Sequence, residues 1–114
     1  MTEGKWDKLL KHRYERGWGP SYPGNGWYDI VERLIKDLDA TGVEWSLCQV
    51  KEKFGGLRFY VDTKGGTEKG LKVFYDMIDK AEAESFQTCE ACGRPGELRG
   101  TGWMKTLCSE CDRK

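Results

Sequence analysis

Apolar residues recur at helical spacing in three stretches of the chain and alternate with polar ones in a fourth, so the period itself divides the sequence into elements. Around residues 6–16, Trp6, Leu9, Leu10, Arg13 and Tyr14 share one face while Lys5, Lys8, His12 and Arg16 take the other. This predicts a short amphipathic helix stopped by Gly17. Residues 18–26 are rich in glycine and proline and predict a loop, with Asn25 placed to cap a second helix that opens near Trp27. That helix carries Trp27, Val31, Leu34, Ile35 and Leu38 on one stripe and has Gly42 as its stop. The pairs Asp29–Arg33 and Glu32–Lys36 suit its wet side. From residue 43 to 62 the period falls to two, and Gly55-Gly56 stands between the apolar runs as the centre of a two-residue hairpin turn. A third helix is predicted over residues 67–86, with Leu71, Phe74, Tyr75, Ile78 and Ala81 on one stripe and Glu68–Lys72 and Asp76–Lys80 on the wet face.

The last quarter of the chain has no such periodicity and is organised by cysteine instead. Cys89, Cys92, Cys108 and Cys111 form C-x2-C-x15-C-x2-C, the spacing of a four-thiolate zinc site. Gly93 follows the first pair and lets the backbone fold back toward the sulfurs; the second pair lacks that glycine. Four protein ligands close a tetrahedral ion against water and substrate, so one structural zinc is expected, with two disulfides as the competing reading. The fifth cysteine, Cys48, is left over from any disulfide framework and reads as a small core residue.

A chain of 114 residues can bury one core and hardly two. The expected fold class is therefore α+β. Helices pack on a β-hairpin or small antiparallel sheet in residues 1–87, and a zinc ribbon occupies residues 88–114.

A hairpin centred on Gly55-Gly56 pairs Phe54 with Leu57, Lys53 with Arg58, Glu52 with Phe59, Lys51 with Tyr60 and Val50 with Val61. Cys48, Val50, Phe54, Leu57, Phe59 and Val61 then face the helices. Lys51, Lys53, Arg58 and Tyr60 form the opposite face, with Trp45 and Leu47 further along. Three cations beside a phenol ring suit a phosphate, a carboxylate or an acidic surface, and the helices also carry an excess of acids that can answer them. Glu52 is turned toward the apolar face, where a carboxylate needs a cation, water or a proton; an edge position reaching a basic side chain explains it better than catalysis.

Charge adds a constraint. The 19 basic and 19 acidic residues cancel, so no global field draws the molecule onto nucleic acid, and any such contact must be local. Within the ribbon, Arg94, Arg99, Trp103 and Lys105 are the candidate nucleic-acid contacts. His12 falls on a polar helix face and reads as a surface histidine. Trp18, Tyr22 and Trp27 suit either a recognition surface or packing of the loop. The N-terminus shows no apolar secretory region, and reduced cysteines fit a cytoplasmic protein.

The run Gly26-Trp27-Tyr28-Asp29, the segment Val50-Lys51-Glu52-Lys53-Phe54-Gly55-Gly56-Leu57-Arg58-Phe59-Tyr60, and Ala81-Glu82-Ala83-Glu84-Ser85 leading to Cys89-Glu90-Ala91-Cys92-Gly93 together resemble small uncharacterised zinc-ribbon proteins of bacteriophages and prophages. The resemblance covers residues 26–111. It implies a phage-type origin and a bacterial host cytoplasm, and it assigns no catalytic residue. The expected function is a non-enzymatic accessory or counter-defence protein that engages a host protein or a nucleotide-like anion through the hairpin face. The alternative is a nucleic-acid-binding ribbon. A nuclease or other hydrolase fits less well, because the single histidine lies far from the cysteines.

Overall fold

The computed structural model describes residues 4–14, 22–100 and 102–113. The predicted helix stop at Gly17, together with Arg16 and Trp18, lies outside the described residues, as does the side chain of His12.

Helix α1 spans Lys5–Leu10 and tightens into a 3-10 turn over Lys11–Arg13, burying Trp6, Leu10 and Tyr14 at intervals of one turn. A second 3-10 turn, Asn25–Trp27, leads into α2, Tyr28–Ala40. Asn25 is not the helix cap. The 3-10 turn brings the Asn25 backbone carbonyl to the Tyr28 N–H, and the Asn25 side chain accepts from Trp6 Nε1 at 3.0 Å, tying α1 to the entry of α2. The α2 stripe is buried as the period requires, and Gly42 ends the turn at φ +80°.

Strands β1, Glu44–Lys53, and β2, Gly56–Lys64, form the antiparallel hairpin. Its turn residues are Phe54 and Gly55, at φ +54° and +86°, one residue earlier than the Gly-Gly pair suggests. Lys53 stands opposite Gly56, Glu52 opposite Leu57, Lys51 opposite Arg58 and Val50 opposite Phe59. Moving the turn by one residue slides the pairing by two, an even number, so Lys51, Lys53, Arg58 and Tyr60 still share the face away from Val50, Leu57 and Phe59.

Cys48 is the extra residue of a β-bulge between the pairs Leu47–Val61 and Gln49–Tyr60. The bulge corrects two expectations. It reverses the alternation upstream, so Leu47 is buried and Trp45 turns to the core, its ring 6.0 Å from Phe59 and 6.2 Å from Phe74. Cys48 itself is half-buried and does not belong to the apolar cluster.

Helix α3, Glu68–Ser85, is capped by Thr67, whose Oγ1 accepts the Gly70 N–H, and it buries Phe74, Ile78, Ala81 and Ser85. Tyr75 leaves the predicted stripe for the surface, where its hydroxyl meets Thr63 Oγ1 at 3.2 Å. The helix also covers the outer edge of β2: Leu57 N–H donates to Ser85 Oγ and Phe59 N–H to Glu82 Oε2, both at 2.9 Å. Burial pushes the Glu82 carboxyl above its usual range, against the Phe59 N–H and the charge of Arg58. The surface charges pair differently from expectation: Arg33 reaches across to Glu84 on α3 at 2.6 Å, and Lys72 takes Asp76 at 2.9 Å. One apolar cluster from Trp6 to Ala81 joins the three helices to the inner face of the hairpin.

Strands β3, Glu97–Arg99, and β4, Lys105–Leu107, form a second small sheet, followed by the four-residue helix α4, Ser109–Asp112. This cysteine module seats against the hairpin turn and the entry of α2. Gly26 N–H donates to Glu90 O at 2.7 Å, Trp27 Nε1 to Thr88 O at 2.8 Å, and Thr106 Oγ1 to Gly55 O at 2.6 Å. A Cβ on Gly26 would overlap the Cys89 carbonyl, so the two backbones approach as only glycine allows. The architecture is α+β with a C-terminal cysteine module, as the periodicities and the cysteine spacing predict.

Candidate metal centre and hairpin face

Local backbone chemistry explains the shape of each cysteine pair. In the first, Cys89 N–H donates to Arg94 O at 2.7 Å and Gly93 N–H to Cys89 O at 2.9 Å, a tight reversal that Gly93 permits at φ +86°. In the second, Cys108 caps α4, its Sγ accepting the Cys111 N–H at 3.5 Å. The two reversals bring all four sulfurs within 4.8 Å of one another, with Cys92 and Cys108 at 3.6 Å. A tetrahedron with metal–sulfur bonds of about 2.3 Å has edges of about 3.8 Å, so the quartet is shaped for one ion. None of the five cysteines is disulfide-bonded, and two bridges would need only two separate pairs. Cys89, Cys92, Cys108 and Cys111 can together hold one metal ion.

The thiols are prepared unequally. Burial pushes Cys89 up, but the N–H groups of Cys108, Cys92 and Ala91 outweigh it and bring the thiol down to about 6. The Cys111 N–H likewise lowers Cys108. Hydrogen bonds with Cys108 and Cys89, helped by burial, push the Cys111 thiol up to about 12. A cation at the centre of the four sulfurs replaces the thiol protons. Cys89 is buried, Cys108 and Cys111 are half-buried and Cys92 is exposed. With four protein donors the centre offers no open position for a reacting water.

A half-buried ionic seam runs from this centre to the hairpin. Glu52 Oε2 accepts the Gly55 N–H at 2.7 Å, and its Oε1 meets Lys105 Nζ at 3.1 Å. Lys105 also lies 3.6 Å from Glu90, whose other oxygen accepts the Gly24 N–H at 2.9 Å. Burial pulls the Lys105 ammonium down, but Glu52 and Glu90 outweigh it and leave it above its ordinary range. Glu52 is thus the carboxylate with a basic partner that its position on the apolar face demanded. Glu90 and Thr106 were not singled out in the sequence, and their partners lie too far along the chain to be read locally.

The two sets of candidate contacts fare differently. Arg94 bonds Glu110 at 3.0 Å; Arg99 donates to Leu107 O and meets Glu97 and Asp112 at 3.3 and 3.5 Å; Lys105 is held by the seam. Only Trp103, 80% exposed, remains open among those four. Lys51, Lys53, Arg58 and Tyr60 do converge on one hairpin face, and among the described residues the three cations form no ion pair. Instead Lys51 Nζ sits 5.9 Å from the Tyr60 ring and Lys53 Nζ 5.6 Å from the Phe54 ring, while Arg58 Nε is buried without a hydrogen-bond partner. Tyr22 and Trp27 serve packing: Trp27 is fully buried, and Tyr22 stacks 5.9 Å from Trp6 and donates to Asp7. No described helix is long and apolar enough to cross a membrane.

No protein-family model, curated protein or solved structure matches the chain.

Proposed function

We propose that this protein is a non-enzymatic binding protein, stabilised by one structural zinc at Cys89, Cys92, Cys108 and Cys111, that takes an anionic partner on Lys51, Lys53, Arg58 and Tyr60. The observation that carries the binding face is the contrast in charge pairing: Arg94, Arg99 and Lys105 of the cysteine module are answered by Glu110, Glu97, Asp112, Glu52 and Glu90, whereas Lys51 and Lys53 of the hairpin face meet aromatic rings and Arg58 has only the more distant charge of Glu82. Zinc is the ion of choice because four thiolates converging on a tetrahedron are soft donors in the geometry it prefers. The resemblance to phage ribbon proteins extends the proposal to an accessory or counter-defence role in a bacterial host cytoplasm, with a host protein or a nucleotide-like anion as partner.

A second reading keeps nucleic-acid contact on the module, and the exposure of Trp103 favours it. Heparin chromatography with a salt gradient separates the two. The double variant Lys53→Glu, Arg58→Glu should elute at clearly lower salt than the parent, with helix content and one zinc per chain retained, while Arg94→Glu, Arg99→Glu should elute with the parent. The reverse order moves the anion site to the cysteine module.

A further inference from the structure

The tip of the hairpin holds an aromatic residue where folding alone would place another. Phe54 occupies the first turn position at φ +54°, a conformation suited to Asn, Asp or Gly and strained for a bulky side chain. Its ring does not help the core, since the residue is 63% exposed. Tyr60, 42% exposed, presents a second ring on the lysine-rich face. Each ring has a lysine ammonium near it, Lys53 at Phe54 and Lys51 at Tyr60, and Arg58 stands opposite Lys51 between them. The strip ends at Asp62, which is paired with Ser46. Its length along the strands is about 15 Å at the usual rise of a β-strand.

Resting on the reading of this face as an anion site, we propose that its ligand is a single-stranded nucleic acid, with bases stacked on Phe54 and Tyr60 and phosphates taken by Lys51, Lys53 and Arg58. An acidic peptide answers the cations but leaves two exposed ring faces unused. A duplex offers phosphates with its bases hidden. A single strand supplies both a repeating negative charge and flat apolar faces, the combination that alternating rings and cations select.

Fluorescence anisotropy on the zinc-loaded full chain tests this, with labelled oligothymidylate and oligouridylate of about ten nucleotides, a duplex of equal length and a polyglutamate peptide as probes. The single strands should bind at least about tenfold more tightly than the duplex or the peptide, and the deoxy and ribo arms identify the preferred sugar. Three phosphate contacts give a slope of log affinity on log salt of about −2, so affinity falls roughly 20-fold between 50 and 200 mM salt. The decisive variant is Phe54→Asn, which relieves the turn while deleting the ring: its thermal midpoint should hold or rise as single-strand affinity drops about tenfold. If polyglutamate binds as tightly as the single strands and Phe54→Asn changes neither, the stacking proposal falls and the anion face stands. If no probe binds, both fall.

Discussion

The helix–hairpin body and the cysteine module solve the same problem with different means. The body joins residues from Trp6 to Ala81 in one apolar cluster, and its elements are long enough for their periods to be read. The module has strands of three residues, a four-residue helix, and, among its described residues, only Cys89, Glu90 and Thr106 buried. Burial therefore carries the first region, while hydrogen bonding and a sulfur cluster able to take a metal ion stand in for it in the second. Where a segment is too short to bury apolar surface, its polar groups must find partners elsewhere, and the module finds them on Gly24, Gly26 and the hairpin turn.

The largest test of this contrast is removal of the metal. Structural zinc sites in finger peptides contribute roughly 10–16 kcal/mol of apparent binding energy, so chelation or Cys92→Ser should release the ion and disorder the module. Hydrogen exchange should then show protection lost over residues 89–111 and kept at Phe74 and Ile78 in α3. Joint loss would mean that the two regions form one cooperative unit. In the opposite direction, Phe74→Ala should cost the body about 3–5 kcal/mol, read as a lowered urea midpoint, with one metal ion still bound per chain in native buffer. The smallest effect is expected at the seam. Glu52→Ala strips the Gly55 N–H of its acceptor and Lys105 of a counter-charge, which should cost about 1–3 kcal/mol and raise exchange at both the hairpin turn and the module. An increase confined to one side would show that the seam does not couple them.

Legibility followed the range of the interactions. The α2 stripe and the cysteine quartet follow from spacings within a few turns of chain, and both are present as read. The turn moved to Phe54-Gly55 because side chains hold it that the turn residues alone do not announce: Glu52 takes the Gly55 N–H, and Thr106, 51 positions away, holds the Gly55 carbonyl. The bulge at Cys48 was hidden because Trp45 and Leu47 continue an alternation whose sense one extra residue reverses. The charge on Glu52 announced that a partner was needed. Which lysine would answer could not be read locally, since Lys105 lies 53 positions away. The cations of the module looked available only because their acids, Glu110, Glu97 and Asp112, take them up in three dimensions.

That separation of 53 positions gives the seam a meaning in time. Both strands of the hairpin leave the ribosome well before Lys105 and Thr106. At elongation rates of about 5–20 residues per second the gap is roughly 3–10 s. During that interval Glu52 is a buried-face carboxylate without its cation, and the Gly55 carbonyl lacks its hydroxyl partner. The newborn tip therefore waits, loosely set, for a buttress made later, and the hairpin turn takes its final form only when the cysteine module reaches it.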